Sequence, residues 1–292
     1  MSEVIASPST RRKALEKGVD LNTRAKELGR TTLGPEDLGA VTTPGASADN
    51  TSYWHVDHSA YGPVTEEPMS RFAQIAARNL GAANALIPQV THHDRADITT
   101  LEALRAQWRD EARARGMKLT ALAFHVMALA RCLREFPRFN ASISQDGTLL
   151  VLKDFVHIGI AVDTPHGLMV PVIRDVDHKG LWQISSEISD LAARAQSRKI
   201  APDEMGGASM TVSNLGGTGG IGFTPIVNPP ELAILGITRT EIVTIWDGDT
   251  PRPVPMVPLD LSYDHRVING ADAARFMSRL TQYIENPRQL LM

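Results

Sequence analysis

Leu261-Ser-Tyr-Asp-His-Arg-Val-Ile-Asn-Gly270 is the stretch on which the reading of this chain turns. An apolar strand pattern runs into a histidine flanked by polar residues, and a glycine stops it. A helical pattern over 273–280 follows. A histidine that ends a strand can be presented to a cleft, and an imidazole titrating near neutrality can remove a proton at physiological pH. His265 is therefore the candidate base. The competing reading is a core histidine hydrogen-bonded by its neighbours.

Other blocks stand upstream of it. Thr211-Val-Ser-Asn-Leu-Gly216 is followed by Phe223-Thr-Pro-Ile-Val-Asn-Pro-Pro230 and Ala233-Ile-Leu-Gly236, and Val162-Asp-Thr-Pro-His-Gly-Leu-Met-Val-Pro-Val-Ile-Arg174 precedes them all. With Asp264-His-Arg-x-x-Asn-Gly270, these blocks resemble the signatures of the dihydrolipoyl acyltransferase cores of 2-oxo acid dehydrogenase complexes, closest to the pyruvate branch. The resemblance covers residues 65–292 in family order. It implies an α/β two-layer sandwich of the chloramphenicol acetyltransferase-like type with a mixed sheet, and the order of helical and strand patterns along the chain agrees.

The reaction implied by the resemblance is transfer of an acetyl group between a dihydrolipoyl thiol and the thiol of coenzyme A. A thiol of pKa about 8.5 is mostly protonated at neutral pH, so a base beside the sulfur raises the thiolate fraction at the moment of attack. His265 takes that role. Attack builds negative charge on the thioester oxygen, and a donor aimed at it contributes roughly 3 kcal/mol; the family's serine falls on Ser213. Asn269 completes the catalytic set where many members carry aspartate. An amide orients its neighbours but holds no charge against an imidazolium, so Asn269 is assigned to support. Asp264 and Arg266 are expected to fix the loop by pairing, and Gly270 supports its end. Two other readings stand beside this one: a free-standing acyltransferase using acyl-coenzyme A on a small acceptor, and a non-catalytic scaffold subunit.

Composition narrows the alternatives. The 292 residues are 42% hydrophobic and 22% charged, enough apolar material for one large domain and a small appendage. A net charge of -3 gives no general basic field, so nucleic acid is not an expected partner. The single cysteine, Cys132, excludes an internal disulfide and sits in an apolar helical run. No run reaches membrane-span length and the N-terminus lacks a basic-then-apolar leader, which makes the cytoplasm the expected compartment.

Residues 1–42 read as a small helical head resembling a degenerate peripheral subunit-binding domain. A helix over 7–18 has Ser7 as cap, Pro8 at its first position and Gly18 as its stop, and a second turn spans 34–39. Between them an irregular loop is expected, and Lys26-Glu-Leu-Gly-Arg-Thr-Thr32 keeps only Gly29 of the family's several glycines. The resemblance implies the pyruvate dehydrogenase component and dihydrolipoyl dehydrogenase as partners, binding of the latter weakened by the loop changes, and Arg11 and Arg12 match the family's basic pair. Residues 43–64 have linker composition, in which Tyr53, Trp54 and Tyr61 are expected to pack, and in which His55, Asp57 and His58 are a poor metal set.

Downstream, apolar positions 72, 75, 76 and 80 make one face of a helix over 68–80, and its Arg71 is the candidate for a coenzyme A phosphate. A strand over 88–98 leads to a helix capped by Thr99 or Thr100. His92-His93-Asp94 is rejected as a metal site because adjacent strand side chains point to opposite faces. A buried helix is expected over 120–136, strands over 148–153, 156–162 and 168–173, and an amphipathic helix over 181–200. Gly217-Thr-Gly-Gly-Ile-Gly222 fits the dinucleotide pattern but is rejected, since the prolines that follow forbid the helix such a site requires. No lipoyl hairpin is found, so either the chain is part of a longer protein or lipoyl groups arrive on another polypeptide. The resemblance implies a homotrimer whose active site is shared between chains. It also implies assembly into a cage, the 24-chain form favoured, with the apolar tail Leu290-Leu-Met292 docking on a neighbour.

Overall fold

The computed structural model describes residues 4–16, 18–38 and 56–291, and the chain divides into two compact units, 1–67 and 68–292. In the first unit, β1 (Ile5–Ala6) pairs in parallel with β2 (Thr32–Leu33) around the helices α1 (Pro8–Glu16) and α2 (Leu21–Leu28). Ser7 caps α1, accepting the Thr10 amide at 3.1 Å. Helix α2 stands where an irregular loop was expected. Asp20 caps its start through the Asn22 amide, and Gly29 ends it at a φ of 63°. The second turn is a 3-10 helix, Pro35–Leu38. Val4, Ala25 and Leu33 form the small core. Arg11 turns back on its own chain, donating to Val4 O and Ala6 O, which ties one half of the expected partner-binding pair to the head's own backbone. Tyr61 is 84% exposed, while Tyr53, Trp54 and His55 lie outside the described residues. Asp57 caps the 3-10 turn His58–Tyr61.

The second unit begins with α3 (Arg71–Leu86), capped by Ser70 through the Ala73 amide. Then come β3 (Gln89–Asp97), α4 (Thr99–Gln107), α5 (Arg109–Ala114), α6 (Ala121–Glu135), and the hairpin of β4 (Ala141–Ile143) and β5 (Leu150–Leu152). They are followed by β6 (Ile158–Thr164), β7 (Gly167–Met169), β8 (Val172–Ile173) and α7 (Leu181–Gln196). The unit closes with β9 (Met210–Asn214), β10 (Ala233–Ile237), β11 (Glu241–Asp247), β12 (Thr250–Asp264) and α8 (Gly270–Glu285).

One eight-stranded mixed sheet organises this unit. β12 is its axis. Along one edge it pairs antiparallel with β3; along the other it pairs antiparallel with β10 and then, past the end of β10, with β11. β9 joins β10 in parallel, and β6 joins β9 in parallel. Alternation fixes which side is which. Val257, Leu259, Leu261 and Tyr263 of β12 point into the main core with Met210 and Val212 of β9 and Leu235 of β10. Helices α4, α6, α7 and α8 cover that face, so the unit is the expected two-layer sandwich. Helix α6 is apolar on nearly every side and is buried along most of its length. The opposite face carries Thr211, Ser213, Gly236, Asp260, Ser262 and Asp264, polar or small at almost every step.

Several local expectations need correcting. Asp97, not Thr99 or Thr100, serves the start of α4: its carboxylate accepts the Thr99 amide at 2.8 Å. The strand expected over 168–173 is split into β7 and β8, because Pro171 has no amide to give the ladder. Helix α7 stops at Gln196, where Arg198 takes a left-handed φ of 56°. The apolar face of α3 is on the surface of the protomer, with Phe72, Ile75 and Leu80 each more than two-fifths exposed. At the C-terminus, Leu290 folds into the main core at 1% exposure and Leu291 is 40% exposed. Of the expected docking tail only Leu291 is exposed among the described residues; Met292 lies outside them.

Candidate active site

β12 ends at Asp264, and the turn after it is fixed from several sides. The Asp264 amide donates to Leu232 O at 2.9 Å and the His265 amide to Pro88 O at 3.0 Å, while the Val267 and Ile268 amides close on Asp264 O. Asp264 is 1% exposed. Its carboxylate accepts the Arg266 amide at 3.0 Å, the Arg266 Nε at 3.0 and 3.1 Å, and Nη2 at 2.6 Å. That bonding pushes the Arg266 guanidinium further above its usual range, so the expected pair is present and the cation is permanent. Asn269 caps α8, its side chain accepting the Asp272 amide at 2.9 Å, and Gly270 is the first helical residue. The His265 ring is exposed beside Tyr263, with ring centroids 5.8 Å apart. Among the described residues no side chain hydrogen-bonds its imidazole, which rules out the core reading.

Ser213 sits in the middle of the sheet, on the face turned away from the helices. In register it stands between Gly236 of β10 and Ala161 of β6, half-buried, with the Phe223 ring packed over Gly236. The chain beyond it turns sharply: the Leu215 amide donates to Ile237 O and the Gly216 amide to Asn214 Oδ1. No helix follows the glycine-rich segment 217–222; the Phe223 amide donates to Asp260 Oδ2 at 3.1 Å instead.

Register gives the separation of the two principal candidates. Ser213 is level with Gly236, and Gly236 with Asp260, two strands away and five residues before His265. At ~3.3 Å per residue and ~4.8 Å per strand, His265 and Ser213 of one protomer are about 20 Å apart. A single chain does not bring them together. Asp264, Arg266, Asn269 and Gly270 do surround His265, whereas Arg71 is an exposed residue in the first turn of α3.

Three features were not anticipated from the sequence. Arg105, Arg109, Arg113 and Lys118 line a cavity of about 680 Å³ with Glu102 as its nearest acid. The four-residue spacing of the arginines across α4 and α5 was the available signal. Thr211 donates to the buried Glu231 at 3.0 Å, and burial pushes that carboxyl up to about 7 against the hydrogen bond and the nearby Lys153. His93, set aside as a metal ligand, places Nδ1 2.6 Å from Asp260 Oδ1. Cys132 is wholly buried, and its thiol is driven far above the usual range by burial and by Glu135. It is a core residue, as expected.

Residues 61–292 match the protein family described as 2-oxoacid dehydrogenases acyltransferase (catalytic domain). The chain belongs to that family. Among curated acyltransferases it is 44% identical over 305 residues to the dihydrolipoyllysine-residue acetyltransferase component of the pyruvate dehydrogenase complex of Pseudomonas aeruginosa. That alignment covers 100% of this chain and 55% of the relative. Against the same component of Azotobacter vinelandii the identity is 49% over 237 residues, covering 81% of this chain and 37% of that one. The chain thus spans about half the length, or less, of these relatives. Two solved acyltransferase structures superpose with a TM-score of 0.79, each covering 81% of this chain and 98% of the other. One, 48% identical, belongs to work on a serine, a histidine and an asparagine in the catalytic mechanism of the Azotobacter vinelandii dihydrolipoamide acetyltransferase. The other, 49% identical, is the cubic core of the pyruvate dehydrogenase multienzyme complex.

Proposed function

We propose that the chain transfers an acetyl group between a dihydrolipoyl thiol and the thiol of coenzyme A, as the core acyltransferase of a pyruvate dehydrogenase-type complex. The observation that carries this reading is the constellation Ser213, His265 and Asn269. Its mutual spacings equal those of the serine, histidine and asparagine named for the Azotobacter enzyme. Its serine and histidine stand on separate parts of the sheet, so the site is completed by a second chain: His265 of one protomer meets Ser213 of its neighbour.

His265 takes the proton of the attacking thiol as its sulfur bonds to the thioester carbon. The Ser213 hydroxyl donates to the oxygen that gains charge. When the tetrahedral species collapses, the second sulfur leaves and recovers the proton from the imidazolium. Asn269, with its oxygen committed to the α8 cap, acts by holding the turn. The cavity of Arg105, Arg109, Arg113 and Lys118 supplies cations for the phosphates of coenzyme A, and Arg71 remains a candidate for the same anion. The lipoyl group is a substrate delivered in trans or from another segment of the protein.

A site shared head to tail calls for a closed ring, which the family resemblance makes a trimer, and the exposed face of Phe72, Ile75 and Leu80 is a surface such an assembly would cover. The 24-chain cage is the favoured form beyond the trimer. Arg11, bound to its own backbone, supports weak capture of dihydrolipoyl dehydrogenase by the head, and the compartment is the cytoplasm. The test is acetyl transfer from acetyl-coenzyme A to dihydrolipoamide, run beside hydroxyl and amine acceptors, with wild type and His265→Ala. Transfer to the dithiol that is lost in the variant is the expected result. Preference for an amine or hydroxyl acceptor would replace the reading by a free-standing acyltransferase, and no transfer at all by a scaffold.

A further inference from the structure

The sheet row that holds Ser213 continues across the molecule. Ser213, Gly236, Asp260 and His93 stand in one register over β9, β10, β12 and β3, all on the face opposite the helices. Asp260 is 2% exposed and divides its carboxylate: Oδ1 is 2.6 Å from His93 Nδ1, and Oδ2 accepts the Phe223 amide at 3.1 Å. A carboxylate only accepts, so Nδ1 of His93 carries the proton of that bond. Phe223 in turn lies on Gly236, where a β-carbon would come 2.7 Å from its ring. Gly222 lies beside the same carboxylate, where a β-carbon would rest in ordinary contact, 3.4 Å from Oδ1. The glycine-rich segment therefore ends on a fixed post two strands from Ser213, with the Phe223 ring over the intervening Gly236.

We propose that Asp260, braced by His93, is a positioning residue for acyl transfer, anchoring Phe223 and the end of segment 217–222 beside Ser213 before substrate arrives. This rests on the functional reading above. The need for an anchor is in the backbone: Gly219 and Gly220 have φ of 135° and 86°, and a segment so rich in glycine samples many shapes unless tied down. His93 keeps the Asp260 carboxylate satisfied from the solvent side, its side chain 58% exposed over a cavity shared with Asp94, Arg95 and Glu241. His93 itself is three strands from Ser213 and does not reach the reacting atoms.

Three variants of the full chain test this. Asp260→Ala is expected to lower kcat for acetyl transfer by about 10- to 100-fold while KM for each thiol stays within about threefold. Its amides over 217–224 should lose hydrogen-exchange protection while those of β9 and β10 keep theirs. Asp260→Asn, whose amide oxygen still accepts from Phe223, should return kcat to within about threefold of wild type. His93→Phe removes the brace and should speed exchange in the same segment only. Wild-type kcat in Asp260→Ala, or protection lost equally in β9 and β10, overturns the proposal. If Asp260→Ala does not fold, His93→Phe decides: unchanged exchange over 217–224 with unchanged kcat overturns it. His265→Ala in the same assay keeps the two readings apart. A wild-type rate there defeats the functional reading, whereas an inactive His265→Ala beside a fully active Asp260→Ala defeats the anchor alone.

Discussion

His265 reaches solvent on a turn whose every neighbour is engaged in holding shape, so its ring is the part of the loop left free to react. His265→Ala should therefore reduce acetyl transfer by several orders of magnitude, and Ser213→Ala by about a hundredfold. Circular dichroism and thermal melting should be unchanged in both, since an exposed ring and a hydroxyl on the sheet face opposite the helices bear little of the core; a rate within about threefold of wild type removes the residue from the mechanism. Glu231 gives a pH prediction of the opposite kind. Burial holds its carboxyl at about 7, above the ordinary 4.5, so the folded state binds its proton more tightly than the unfolded chain does. Its contribution to stability is full below pH ~4.5 and is lost as pH rises to ~7, an order-of-magnitude change of ~3 kcal/mol. Urea titrations at successive pH values should show that slope in wild type and a flatter profile in Glu231→Gln; parallel profiles would place the ionisation elsewhere.

The elements around the site were legible to different degrees. The end of β12, the turn and α8 could be read from local pattern, because alternation, a glycine and a helical repeat are all short-range signals. Asn269 shows what the same reading missed: the structure spends its side chain on the α8 cap, so Asn269→Ala should cost about 1 kcal/mol of stability. Arg266→Ala should cost on the order of 2 kcal/mol, less than the ~3–5 of a fully buried pair because its guanidinium is 42% exposed. Chemical denaturation measures both, and values near zero would make the turn self-supporting. Pairings such as His93 with Asp260 were invisible because they depend on register between strands far apart in sequence. The period of α3 likewise identified an apolar face without saying what covers it. Helix α2 was missed because the family's loop was expected there, although Asp20 and Gly29 are ordinary helix boundaries.

At the scale of the whole molecule, the proposed function and the separation of His265 from Ser213 together make catalysis a property of an assembly. Co-expressing His265→Ala with Ser213→Ala chains in equal amounts should restore about a quarter of wild-type activity, because random pairing in a ring unites an intact histidine with an intact serine at one junction in four. Activity no higher than the mean of the separate variants would return the site to a single chain. Leu291→Asp, which alters the exposed residue of the tail and leaves the buried Leu290 in place, should release trimers from a larger particle in native mass spectrometry. A particle of unchanged mass would assign the contact to another surface. The position of Cys132 bears on the same chemistry from another direction. A catalyst that passes a thioester from one sulfur to another must not carry a competing sulfur of its own within reach. The sole thiol of this chain is enclosed by α6 and the main core, and its ionisation is suppressed. On the proposed function the protein is thereby protected from acylating itself during turnover, and a chromogenic disulfide reagent should detect no thiol in the native protein and one after denaturation.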